Sequence, residues 1–98
     1  MYKYRITTTK NRTIEWYQKD SVLEAHLAET YINTGIMTLT TVVSETADDV
    51  DVLSKEVTFL DEASFLSFKS DPLVITYIQG RNEYETINGI VRVKENIS

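Results

Sequence analysis

Between Phe59 and Val93 the chain places its only proline and two of its three glycines, and that punctuation fixes where regular structure must start and stop. Asp61 follows an extended run ending at Phe59-Leu60 and is placed to N-cap a helix through Phe65 and Phe68, its carboxylate accepting from the first free amides. Asp71-Pro72 reads as a second N-cap with proline at the first helical position, where its missing N–H costs nothing. From there Leu73 with Tyr77, and Val74 with Ile78, repeat at four-residue spacing, which predicts a helical stripe ended by Gly80 in a left-handed conformation. The segment Leu73–Gln79 is also rich in β-branched and aromatic residues, so a hairpin pairing it with Tyr84–Val93 is the competing reading. The Asp-Pro start favours the helix.

The rest of the chain supplies a matching first half. Tyr2 to Thr9 alternates, with Tyr4 and Ile6 on one side and Lys3, Arg5 and Thr7 on the other, as in a half-buried strand. Lys10 to Arg12 reads as a turn and Thr13 to Gln18 as a short arm. Ser21-x-x-Glu24 matches a capping box, opening a helix to Asn33 with Leu23, Leu27 and Tyr31 on one face and Gly35 just past its end. Residues 36–46 and 52–60 read as a hairpin around the acidic link 47–51, and 89–95 as a last strand. The order is β, α, β, β, α, β in one domain, 1–98. Right-handed connections then give a ferredoxin-like α+β sandwich: a four-stranded antiparallel sheet in the order 4-1-3-2, with helices on one face. On this reading Tyr4, Ile6, Met37, Leu39, Val57, Phe59, Val91 and Val93 face the helices. Arg5, Thr38, Thr40, Val42, Glu56, Thr58, Arg92 and Lys94 form the other face, with Arg5 opposite Glu56.

A chain of 98 residues with 42% hydrophobic content buries only about two thirds of its unfolded surface. That modest burial, and the mixed character of the second sheet face, favour self-association as a twofold dimer. The net charge of −5 argues against nucleic acid or an anionic membrane as partner, since both need a basic footprint. RNA-recognition modules also display aromatics on the exposed sheet, whereas Tyr2 and Tyr4 fall on the apolar side. Without cysteine there is no disulfide framework, thiolate metal site or thiol nucleophile, which suits a reducing cytoplasm. No apolar run is long enough to cross a bilayer.

The element order, the Thr34-Gly35 step and the pattern of Phe65, Phe68, Asp71-Pro72, Arg81, Tyr84, Asn88 and Ile90 resemble the dimeric α+β barrel group of ferredoxin-like proteins. That group includes cofactor-free antibiotic-biosynthesis-type monooxygenases, haem-degrading relatives, stress-responsive barrels and small members of unknown role, and this chain is most similar to the last. The resemblance implies a homodimeric barrel with two sheets back to back, helices outside, and a pocket in each protomer between sheet and helices.

No serine–histidine pair, phosphate loop or metal-spaced cluster appears, and no cofactor is implied. His26, the only histidine, falls toward the polar side of its helix and reads as solvated rather than as a haem ligand. Glu45, Asp48, Asp49 and Asp51 lack the spacing of a calcium loop and read as a solvated hairpin tip. Trp16, Tyr17, Tyr31, Asn33, Tyr77, Arg81 and Tyr84 are the candidate pocket residues, because aromatic walls with a few polar tips suit a small organic ligand. The same aromatics serve equally as core or interface anchors. Two functions follow as expectations: a non-enzymatic homodimeric module, structural or regulatory, or a cofactor-independent monooxygenase-like or small-ligand-binding barrel.

Overall fold

The computed structural model describes all residues, 1–98. Four strands, β1 (Tyr2–Asn11), β2 (Met37–Ala47), β3 (Val50–Phe59) and β4 (Val91–Asn96), form one antiparallel sheet in the order β2-β3-β1-β4. Helices α1 (Ser21–Leu27), α2 (Glu62–Ser70) and α3 (Pro72–Asn88) complete a ferredoxin-like βαββαβ fold. A π-helical turn over Ala28–Ile32 extends α1, and Gly35 follows it at φ +77°.

The helix starts follow from local chemistry. Asp61 accepts from the Ser64 amide at 2.7 Å, and Asp71 accepts from the Leu73 amide at 3.0 Å with Pro72 at the head of α3. Residues 73–79 are therefore helical, not part of a hairpin. The cap of α1 is Asp20, whose carboxylate accepts from the Leu23 amide at 2.7 Å, so Ser21 is the first helical residue rather than the cap. An ionised carboxylate at that position also opposes the positive end of the helix.

Gly80 does not end α3. The helix runs on to Asn88, and Gly89, at φ +68°, terminates it. Gly80 is instead a place of close approach, since a Cβ there would lie 2.5 Å from the Tyr17 hydroxyl.

The core lies between the sheet and the helices. Tyr4, Met37, Val57 and Phe59 from the strands meet Leu23, Leu27 and Tyr31 from the first helical region and Val74 from α3. Phe65 stacks on Tyr2 at 4.2 Å between ring centroids, and Phe68 meets Phe59 and Tyr31 at 5.2 Å each. Phe59 is wholly buried, which makes the end of β3 the centre of this aromatic cluster.

One strand lies the other way round from the expectation. Thr8 pairs with Arg92 and Ile6 with Lys94, so Arg92 and Lys94 face the helices, while Val91 and Val93 lie on the open face, 58% and 51% exposed. Two interactions fix this parity. Ile90 is buried directly after Gly89, its amide bonded to the Glu85 carbonyl, so alternation sends Val91 outward. Glu85, buried on α3, also needs a cation from the strand beside it, and Arg92 supplies one. Val42 is likewise displaced from the open face, because the β2–β3 register shifts between Thr41 and Val43 and leaves Val42 in a bulge. Leu39 is on the helix side but 41% exposed, beyond the helical roof. Arg5 does meet Glu56 across β1 and β3, at 3.1 Å.

Candidate functional site

Beneath the helices the core stops short of filling the space over β1, β3 and β4, leaving a cleft of about 400 Å3 between the sheet, α1, α3 and the arm that links β1 to α1. Its floor is apolar, with Ile6, Leu53 and Val57 from the sheet and Val74 and Ile78 from α3. The arm supplies a wall through Trp16 and Tyr17. Tyr17 sits between Tyr77 and Tyr84, 5.7 and 5.4 Å between centroids, and the Tyr84 hydroxyl donates to the Glu15 carbonyl at 2.7 Å. These contacts hold the arm against α3, and the missing side chain at Gly80 makes room for the Tyr17 ring.

That close approach gives a direct test. Alanine at position 80 adds about 1 kcal/mol of helix propensity but forces the Tyr17 ring aside. We expect Gly80→Ala to leave the melting temperature within a few degrees of wild type while amide exchange in residues 15–19 accelerates. Unchanged exchange in the arm would show that Tyr17 does not hold it.

The polar lining is more one-sided than the chain as a whole. Six of the ten lysines and arginines border the cleft, namely Lys19, Lys55, Lys69, Arg81, Arg92 and Lys94, against two carboxylates, Glu24 and Glu85. Arg92 spends its charge on Glu85 through contacts of 2.9 and 2.8 Å. Arg81 is 3.9 Å from the same carboxylate, too far for a hydrogen bond, and its buried Nε has no hydrogen-bond partner. Its guanidinium lies 5.7 Å over the Tyr77 ring, with Lys19 5.6 Å from that ring. Lys94 lies 4.3 Å over Tyr4 and 4.8 Å over Phe65. Lys55 has neither a carboxylate nor an aromatic ring as partner. Burial, with repulsion from Lys19 and Arg92, pulls its ammonium below the ordinary lysine range. Burial and the neighbouring Arg92 likewise pull Arg81 below its usual value.

Of the candidate pocket residues, Trp16, Tyr17, Tyr77 and Arg81 line this cleft. Tyr84 stands behind the wall, bracing the arm. Asn33 is exposed at the end of the π turn. Tyr31 is a core residue whose hydroxyl donates to Asp71 at 2.6 Å; burial and that carboxylate push its pKa up to about 12. Sequence reasoning missed Lys55, Arg92, Lys94 and Glu85. Lys55 was within reach, because it alternates with Leu53 and Val57 on an inward-facing strand face.

His26 is not the solvated residue its helical position suggests. Its Nε2 lies 2.5 Å from the Asp71 carboxylate, so one carboxylate joins α1, the π turn and the head of α3. This node lies outside the cleft. In the acidic hairpin, Asp51 is engaged by Lys10 and Thr46, both at 2.7 Å, and no group of three acidic or histidine side chains is close enough to share a metal ion. Lys10 is itself buried and lies 4.8 Å over Trp16, so it belongs to β1 rather than to the expected turn. No helix is long and apolar enough to cross a membrane.

No protein-family model matches the chain, and no curated protein matches it in sequence. Among solved structures, the de novo designed protein Foldit4 aligns over 99% of this chain and 98% of its own, with a TM-score of 0.50 and 7% identity. A hydantoinase/carbamoylase family amidase from Burkholderia ambifaria aligns over 99% of this chain at a TM-score of 0.45 and 9% identity. One from Burkholderia multivorans gives 0.42 and 11%. The chain spans about a quarter of the length of these amidases, 27% in both. At 7% identity the likeness to Foldit4 is one of fold, a small α+β domain with a four-stranded antiparallel sheet.

Proposed function

We propose that this protein is a small-molecule-binding module that works as a homodimer, each protomer offering its own cleft. The observation that carries the reading is the cleft itself: about 400 Å3 of space, apolar below, aromatic at the side and bordered by polar tips, within the size range of small-ligand sites. Binding is favoured over acid–base turnover because the one histidine is held by Asp71 outside the cleft, and of the two carboxylates at its border Glu85 is committed to Arg92. The expected result is that calorimetric titration with 2-naphthalenemethanol, its anionic analogue 2-naphthoate, or both shows saturable binding at one site per chain. Failure of both probes to bind would refute the reading.

The dimer rests on the open sheet face. Val43, Val50, Val52, Val91 and Val93 flank a polar centre in which Lys3 and Arg5 meet Glu56, and Thr7 meets Ser54 at 2.6 Å. Arg5 Nε is buried there without a hydrogen-bond partner. The resemblance to dimeric α+β barrels favours a second copy as the cover, sheet against sheet. Light scattering at micromolar concentration should then return twice the 11.3 kDa chain mass, and Val93→Lys, on the open face, should shift the protein toward monomer. A wild-type monomer under those conditions contradicts the dimer.

A further inference from the structure

The charge of the cleft carries the ligand reading further. A protein of net charge −5 has drawn most of its cations to one side of its sheet, although four strands and three helices offer ample surface on which to disperse them. Arg92 is matched by Glu85, but Arg81 and Lys55 are not matched by any carboxylate within hydrogen-bonding distance. Gathering part-buried cations, of which Lys55 has no carboxylate partner and Arg81 only a 3.9 Å contact with the carboxylate that Arg92 already holds, opposes folding through mutual repulsion and lost hydration, and a bound anion relieves both. A small, strongly hydrated ion alone would leave the apolar floor and the Trp16 and Tyr77 rings without a contact.

We propose that the cleft binds an amphiphilic organic anion, its acidic group between Arg81 and Lys55 and its aromatic or branched apolar body on the floor beside Tyr77 and Trp16. This rests on the reading of the cleft as a ligand site and adds the chemical class of the ligand. Arg81 offers its guanidinium from α3, where it lines the cleft, and Lys55 supplies the opposing charge from the sheet. Carboxylates and phosphate monoesters share the required chemistry.

The test compares a matched pair of probes that differ only in charge, 2-naphthoate and 2-naphthalenemethanol, by calorimetric titration of the full chain. Naphthoate is expected to bind about tenfold more tightly or better, the range of a charge-assisted hydrogen bond. 2-Naphthyl phosphate should bind at least as well as the carboxylate. Lys55→Met and Arg81→Gln should each reduce the preference for the anion over the alcohol, while Arg12→Gln, outside the cleft, should leave both probes unchanged. Lys55→Met stands as the test if Arg81→Gln disturbs α3, since Lys55 has no partner to lose. Equal affinity for alcohol and acid would overturn the anion assignment and leave the ligand-site reading standing. An anion preference that survives Lys55→Met would overturn the assignment of these residues.

Discussion

Glu85→Ala is expected to cost about 3 kcal/mol of stability, the low end of the range for stripping one partner from a buried ion pair. Glu85 is 6% exposed and holds Arg92 by three hydrogen bonds from β4, with Arg81 one helical turn away. Removing the carboxylate leaves two guanidiniums facing one another beneath the helix and frees the edge strand from α3. At roughly 4–8 °C per kcal/mol for a domain of this size, the melting temperature should fall by about 15 °C. Glu85→Gln keeps the shape but not the charge and should fall between alanine and wild type. Urea unfolding measures the difference, and the double variant Glu85→Ala/Arg92→Met should lose less than the two single variants added together. A loss below about 0.5 kcal/mol for Glu85→Ala would show that the pair is solvated and does not fix the face of β4.

Asp71→Ala should be nearly as severe, at about 2–4 kcal/mol, because it removes an N-cap and leaves two further donors without their acceptor. The carboxylate caps α3 through the Leu73 amide and accepts from the Tyr31 hydroxyl and from His26. Asp71→Asn keeps a capping oxygen and should lose less. The same group sets an acid limit. Burial works to raise the Asp71 carboxyl, but the hydrogen bonds from His26, Tyr31 and the Leu73 amide outweigh it and hold it below its ordinary value of 3.8. A carboxyl lowered by folding stabilises the protein fully above its unfolded pKa and loses that contribution as pH falls through the folded value. Stability should therefore be flat with respect to this group near neutrality and decline below about pH 4, with a weaker acid dependence in Asp71→Asn. An identical acid profile in the variant would remove Asp71 from the account.

Much of the fold was legible in the residues themselves. The caps at Asp61 and Asp71-Pro72, the glycine after the first helix, and the inward faces of Leu23, Leu27, Tyr31, Tyr4, Val57 and Phe59 all follow from local rules that tertiary structure did not override. The fourth strand was not legible in the same way. Hydrophobic alternation alone turns Val91 and Val93 inward, and the opposite parity emerges only once Ile90 is known to fill the end of α3 and Glu85 to need Arg92. That reversal also brings Arg92 and Lys94 to the cleft, two of the six cations that border a site read as aromatic with a single arginine. Gly80 was misread for a related reason. A glycine in a helical pattern signals an end or a close approach, and only the position of Tyr17 decides between them.

The central claim, that the cationic cleft under the helices receives a ligand, is tested most directly by mapping amide chemical shifts as 2-naphthoate is added. The account predicts the largest changes at Lys55, Tyr77 and Arg81 and at the Trp16 indole N–H, in one saturating process. Changes centred on Thr7, Ser54 and Val52 of the open face, or spread over the surface with none at the cleft, would contradict it.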